Sequence, residues 1–168
     1  EMNTRLVGSE MCIRDSDLVA RGYFEAVTFS FVAPEVQTFF DPELSPIPLK
    51  NPISADLAVM RTSLIPGLLK AIAHNASRQQ SRVRLFETGL KFTAGEGDAE
   101  QIPMLALAVS GLRDTEGWST EKAAADFFDV KGTVEGLLAN LGDRLTFEAS
   151  VFPAVSYTHL RAHETCVH

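Results

Sequence analysis

The sequence predicts an α+β fold in which helices flank a mostly antiparallel sheet. Two segments carry apolar residues at helical spacing, from about Leu64 to Ser77 and from Asp126 to Leu141. Between them, Pro103 to Ser110 is almost continuously apolar, which is typical of a buried strand. A Gly/Asp/Glu-rich stretch, Ala94 to Gln101, precedes this strand and predicts a hairpin turn. Strands joined by short hairpins pair in antiparallel fashion, and helices then cover the sheet.

The first elements are a helix end and a strand. Asp17 to Tyr23 resembles the last turns of a helix that stops at Gly22. Apolar and polar residues then alternate over 27–31, which predicts a half-buried strand with Val27, Phe29 and Phe31 on its inner face.

Five prolines mark Pro34 to Pro52 as a loop. Within it, Ile47 to Leu49 could form a short edge strand, because an edge tolerates proline.

The helix from about Leu64 to Ser77 can be capped by Thr62 or Ser63 and carries Pro66 in its first turn, where the missing N–H costs nothing. Its predicted buried stripe comprises Ile65, Leu68, Leu69, Ile72, Ala73 and Ala76.

Two strands, Arg82 to Glu87 and Leu90 to Thr93, are expected to be interrupted near Gly89. The apolar run after them is expected to form a central strand with helices on both sides, its leucines on one face and its alanines on the other. The last helix has Asp126 as N-cap and Gly142 as its terminator, and a half-exposed strand follows from Leu145 to Val151.

Composition excludes several classes of protein. The net charge of −7 argues against a segment that grips nucleic acid by charge alone. We find no apolar stretch of the roughly 20 residues that a membrane span requires. Both cysteines, Cys12 and Cys166, lie near the ends, so the central part has no disulfide scaffold.

The ends need a separate interpretation. Leu6 to Ser16 and Val155 to His168 resemble translated sequencing-adapter reads. We therefore expect one domain, 17–154, between artefactual or disordered segments 1–16 and 155–168. Two alternatives for the ends are a disulfide between the two cysteines and a zinc site in the tail, which would use His159, His163, Cys166 and His168.

Three motifs carry a resemblance to a known family. They are Met60-Arg61-Thr62-Ser63, the stretch Arg82 to Gly89 (RVRLFETG), and Phe127 to Gly132 (FFDVKG). In this order and spacing the sequence resembles the β subunit of bacterial phenylalanyl-tRNA synthetase from about Leu18 to Val151. The similar region is that subunit's catalytic-like module, a degenerate copy of the class II synthetase fold, so the resemblance implies a truncated class II-like domain.

The resemblance also implies that this domain is catalytically silent. Class II enzymes stabilise the charge that develops on the ATP α-phosphate with an arginine, in a Phe-Arg-x-Glu motif on a strand. Glu87 matches the acidic position, but Leu85 stands where the arginine belongs. Arg84 is one residue away, so alternation should turn it to the opposite face of the strand. We predict no catalytic, cofactor-binding or metal-binding residue.

Four charged residues are predicted to act at an interface or in the structure: Arg61, Arg82, Arg84 and Glu87. Arg61 could pair with Glu87 or Asp56, or lie near a substrate as in the catalytic subunit. Arg82 and Arg84 could form a solvated strand face or contact tRNA phosphate or a partner subunit. His74 is expected to be an ordinary, partly exposed helix residue.

The implied function is that of a non-catalytic module supporting assembly with the catalytic α subunit. The parent α2β2 complex would be cytoplasmic and would attach phenylalanine to its tRNA using ATP and Mg, without DNA or membrane partners. A free-standing class II-like ATP-binding enzyme is the alternative.

Overall fold

A computed structural model describes residues 14–95, 99–118, 122–139, 148–149 and 160–161. The α+β class is confirmed. The helices are α1 (14–20), α2 (Pro34–Phe40), α3 (Ile65–Ala76) and α4 (Phe127–Leu137), with a 3₁₀ turn at Ala55–Leu57. The strands are β1 (Phe24–Glu25), β2 (Phe31–Val32), β3 (Val59–Met60), β4 (Arg82–Ala94), β5 (Ala99–Gly111), β6 (Glu148–Ala149) and β7 (Leu160–Arg161).

The main sheet has the strand order β1–β4–β5. β4 and β5 form a long antiparallel hairpin, with Arg82 opposite Gly111 at its open end and Ala94 opposite Ala99 at the turn. β1 runs parallel to β4, with Phe24 opposite Leu85. Two further antiparallel pairs, β2–β3 and β6–β7, are separate from this sheet.

Both faces of the main sheet are covered by helices. On one face, Leu64 at the start of α3 and Leu68 within it pack on Val83, Leu85 and Ala106. On the other, Leu18 of α1, Tyr23 and Phe86 form a second cluster, against which Leu105, Leu107, Val109 and Leu137 pack. The predicted division of β5 into a leucine face and an alanine face is confirmed, and the sheet is the middle of three layers.

The predicted strand at 27–31 is wrong. β1 and β2 have two residues each and belong to different sheets. Val27 is 90% exposed and Phe29 is 74% exposed, whereas Thr28 faces inward. The alternation is present, but its apolar side faces outward.

The loop predicted from Pro34 to Pro52 contains a helix, α2. Its Pro34 lies in the first turn of the helix, a position where proline is favoured. Proline is common in loops as well, so the residue alone did not distinguish the two. The short strand predicted at Ile47 to Leu49 is reduced to one bridge, between Pro48 and Val59.

The predicted break at Gly89 is also wrong, because β4 passes through it without interruption. Within the described residues β5 pairs with β4 alone, and most of the next predicted strand lies outside them, so the central position of β5 stays a prediction. On α3, Leu68 and Ile72 face the sheet as predicted, whereas the other flank is exposed at Leu69, Ala73 and Ala76.

The start of α4 follows the prediction. Asp126 is the N-cap, and its side chain accepts hydrogen bonds from the backbone N–H groups of Phe128 and Asp129. Gly142 and most of the strand predicted from Leu145 to Val151 lie outside the described residues. α1 includes residues 14–16 and so crosses the boundary expected after Ser16.

Candidate functional site

The residues that match the class II motif lie on the α3 face of β4. Leu85 belongs to the cluster beneath α3 and is 9% exposed, and Glu87 follows two positions later on the same face. Arg84 is on the opposite face, where its guanidinium lies 5.6 Å from the centre of the Tyr23 ring. No guanidinium therefore extends from the Leu85 position.

Glu87 is bound by Arg61 instead. The Arg61 Nη1 donates to Glu87 Oε1 at 2.7 Å, and the two side chains are only 6% and 3% exposed. Thr28 donates to the same carboxylate from its backbone N–H and, at 2.8 Å, from its hydroxyl. The carboxylate thus has a charged partner and two further donors, as a buried charge requires.

Arg61 has further partners. Its Nε donates to the Leu90 carbonyl oxygen at 2.9 Å, and its Nη1 also reaches the Thr28 hydroxyl oxygen. The Nη2 passes so close to Gly89 that a Cβ there would collide with it. Gly89 is therefore explained by the close approach of an arginine rather than by a break in the strand. Asp56, the other partner considered for Arg61, lies in the 3₁₀ turn.

A second network lies beside this pair. Gln37 of α2 is fully buried, and its side-chain oxygen accepts from the backbone N–H of Thr62 at 3.1 Å. Its amide nitrogen reaches the Thr62 hydroxyl and the Asp41 carboxylate, and Thr62 donates to Asp41 at 2.6 Å. The sequence offered no signal for this network because α2 was not predicted. It leaves Thr62 unavailable as a cap for α3, whereas the Ser63 hydroxyl accepts from Ile65 N–H.

Arg82 and Arg84 form hydrogen bonds on the opposite face of β4. The Arg82 Nε and the Arg84 Nη2 both donate to the carbonyl oxygen of Arg113, at 3.3 and 2.6 Å. The Nε of Arg84 is buried and has no hydrogen-bond partner within the described part of the chain. The two arginines thus bind the backbone just after β5, and their contact with tRNA or a partner subunit stays a prediction.

Arg113 in turn binds the start of α4. It forms ion pairs with Asp126 at 3.1 Å and Asp129 at 3.0 Å. The hydrogen bond from the Asp126 backbone N–H lowers the pKa of Asp129 despite partial burial, and Arg113 lowers it further. The hydrogen bond with Asp129 raises the pKa of Arg113.

Large apolar side chains are exposed in several regions, and aromatic residues stand out in three of them. The first is the segment from β1 toward β2, at Phe24, Val27 and Phe29. The others are Phe39 on α2, and Trp118 with Phe128 near the start of α4. Phe39 and Phe128 are 53% and 73% exposed, so both lie outside the core.

Within the described ranges, no group of three or more His, Cys, Asp or Glu side chains could hold a metal ion, and no helix is long and apolar enough to cross a membrane. His74 is exposed, and Ser77 and Arg78 donate to its carbonyl oxygen. Cys12 and the tail residues considered for zinc all lie outside the described residues.

Residues 13–160 match the family model described as the phenylalanyl tRNA synthetase beta chain CLM domain. The chain belongs to this family. The matched region extends beyond both ends of the expected domain, 17–154, so those boundaries stay predictions. Among curated relatives, the phenylalanine–tRNA ligase beta subunit of Pseudomonas putida is 51% identical over 140 residues, and that of Hahella chejuensis is 46% identical over 138.

Each alignment covers 82% of this chain and 18% of the relative, so the chain spans less than a fifth of the length of these curated relatives. Among solved structures, a pyrrolysyl tRNA synthetase from Desulfitobacterium hafniense superimposes with a TM-score of 0.55 at 17% identity. That superposition covers 84% of this chain and 49% of the other. It confirms the class II synthetase-like fold.

Proposed function

We propose that this segment is a non-catalytic module that supports assembly of the β chain with the catalytic α subunit of phenylalanine–tRNA ligase. The whole complex, an α2β2 tetramer in the cytoplasm, attaches phenylalanine to its tRNA using ATP and Mg. In this proposal the α subunit holds ATP and Mg, and this segment holds neither.

The observation that carries the proposal is the replacement of a phosphate-facing cation by a buried ion pair. Leu85 packs beneath α3, and the nearby Glu87 carboxylate is already bound by Arg61 and Thr28. Arg61 does lie beside Glu87, but at 6% exposure with its donors on protein oxygens it is not available to a nucleotide. This geometry gives the ATP-binding alternative no support.

The exposed apolar segment after β1 supports a role in assembly. The side chains of Val27 and Phe29 project outward. The residue between them, Thr28, points inward and is fixed by its hydrogen bonds to the Glu87 carboxylate. An apolar strip on a fixed backbone is typical of a protein interface. The chain's net charge of −7 makes a direct grip on tRNA unfavourable, so we assign tRNA binding to the whole complex.

Calorimetric titration of the purified chain with the catalytic α subunit tests the proposal. We expect binding, and we expect the double variant Val27→Ser/Phe29→Ser to weaken it at least about tenfold. The matched control is Phe39→Ser, which removes an exposed aromatic side chain from α2 and should leave the affinity unchanged. Failure of the folded chain to bind the α subunit would contradict the proposal, and so would ATP–pyrophosphate exchange by the chain alone.

A further inference from the structure

The segment between β1 and β2 crosses from the main sheet to the β2–β3 pair, and alternate residues anchor it. Just after β1, the Ala26 N–H donates to the Phe86 carbonyl oxygen on β4 at 2.7 Å. Just before β2, the Ser30 carbonyl oxygen accepts from the Arg61 N–H at 2.9 Å. Thr28 therefore lies midway between two backbone anchors.

Thr28 itself is anchored by two charged side chains. Its N–H and its hydroxyl donate to the two oxygens of the Glu87 carboxylate, at 3.2 and 2.8 Å. Its hydroxyl oxygen accepts from the Arg61 Nη1 at 3.2 Å, and the same Nη1 donates to Glu87. The three side chains thus form a closed triangle, in which the hydroxyl both donates and accepts. A side chain without a hydroxyl would break two of its three sides.

The helix α3 closes the remaining side of Thr28. A Cβ at Gly67 would collide with the Thr28 hydroxyl and would lie 2.8 Å from the Thr28 Cβ, closer than Cβ atoms approach in proteins. Glycine weakens the interior of a helix, so its presence in α3 is explained by this close approach. Thr28 therefore occupies a slot between the ion pair and the helix, and only a residue without a side chain fits at position 67.

The slot determines where the side chains on either side of Thr28 are placed. Val27 and Phe29 form the apolar strip, and they are 90% and 74% exposed. Their backbone is fixed at three successive inward positions, 26, 28 and 30. Ordering a segment opposes association when it has to occur on binding. Here the segment is ordered on folding, so a partner meets the strip already in place.

We propose that Thr28 and Gly67 are positioning residues of the surface that binds the catalytic α subunit. The Glu87 carboxylate, which matches the acidic position of the class II motif, then preorganises the apolar strip. This inference rests on the proposed function, because it takes the strip to be the surface that the α subunit covers. Binding and the triangle are then linked, so that loss of the triangle lowers the affinity for the α subunit without removing a contact.

Calorimetric titration of the 168-residue chain with the α subunit, at several temperatures, tests this proposal. Thr28→Val keeps the shape of the side chain but removes the hydroxyl, and Gly67→Ala displaces Thr28 from its slot. We expect each to weaken binding at least about fivefold. The heat-capacity change of binding should stay as negative as in the unaltered chain, because Val27 and Phe29 are still buried in the complex. Thr28→Ser retains the hydroxyl and should bind like the unaltered chain.

Two alanine variants serve as matched controls. Gly132→Ala makes the same change in a helix where nothing lies within 4 Å, and it should leave the affinity unchanged. Gly111→Ala destabilises the chain by a collision with the Ser81 carbonyl, away from Thr28, and it should also bind normally while folded. Hydrogen exchange of the free chain adds a direct readout. The Thr28 amide should exchange at least about fivefold faster in Gly67→Ala than in Gly132→Ala.

The outcomes separate this inference from the proposed function. If Val27→Ser/Phe29→Ser weakens binding while Thr28→Val and Gly67→Ala bind like the unaltered chain, the inference is overturned and the proposed function stands. If the folded, unaltered chain does not bind the α subunit, both fail. An equal loss of affinity in Gly111→Ala would attribute the effect to stability alone and would also overturn the inference.

Discussion

Arg61 and Glu87 form a buried ion pair that joins the residue after β3 to the middle of β4. Because Thr28 binds the same carboxylate, the pair also fixes the segment that carries Val27 and Phe29. One interaction therefore both occupies the region beside the class II motif and holds the exposed apolar strip in place.

Breaking this pair from one side should be costly. Arg61→Met leaves the Glu87 carboxylate buried without its cation, and we expect the free energy of unfolding to fall by about 3–5 kcal/mol. The double variant Arg61→Met/Glu87→Leu should recover much of this loss, because no unpaired charge remains. Urea denaturation measures both. The control is Lys122→Met at the exposed pair with Glu116, which should change stability by less than about 1 kcal/mol. Equal losses in the single and double variants would contradict this account.

Restoring the arginine of the class II motif should not restore chemistry. In Leu85→Arg the new guanidinium would enter the apolar cluster beneath α3, next to a carboxylate that Arg61 already binds. We expect no ATP–pyrophosphate exchange and a loss of several kcal/mol in stability from the buried charge. The exchange assay and urea denaturation test these points, and measurable exchange would show that the nucleotide region is still open.

Two glycines should respond to alanine in opposite directions. Gly111 has φ +88° and lies so close to the Ser81 carbonyl that a Cβ would collide with it, so Gly111→Ala should destabilise the chain by at least about 1–2 kcal/mol. Gly132, within α4, has open space around it, and Gly132→Ala should stabilise the chain by about 0.5–1 kcal/mol. Thermal unfolding distinguishes the two, and a shift of the same sign in both would contradict this prediction.

The lowered pKa of Asp129 makes the start of α4 sensitive to acid. Because the folded pKa lies below the ordinary value of 3.8, ionised Asp129 stabilises the fold above that value. This contribution is lost as pH falls through the folded pKa. We expect the free energy of unfolding to decline between about pH 5 and pH 2, and the decline to be smaller in Asp129→Asn. Urea denaturation across this range checks it, and identical pH profiles for the two proteins would exclude the effect.

Sequence patterns predicted the elements that are stabilised by contacts between residues close together in the chain. The Asp126 cap of α4 and the two faces of β5 follow from spacing alone, because the residues that fix them are neighbours in the chain or on the strand. The ion pair of Arg61 with Glu87 was one of several alternatives, and only the fold brings the two residues together.

The errors arose where a residue has two physical uses. Alternation at 27–31 has the same form whether the apolar side faces this chain's own core or outward, and here it faces outward. Pro34 suggested a loop but begins a helix. Gly89 suggested a break but gives room to a guanidinium from elsewhere in the chain. At α2 and at Gly89 the deciding contact is distant in sequence: Gln37 binds Thr62, and Gly89 adjoins Arg61.

The parallel pairing of β1 with β4 has a consequence for the order of folding. The β4–β5 hairpin closes a turn of a few residues, whereas joining Phe24 to Leu85 closes a loop of about sixty residues at a greater entropic cost. We therefore expect the hairpin to form early and β1 to dock late, so that the strip beyond β1 acquires its fixed shape in the last steps of folding.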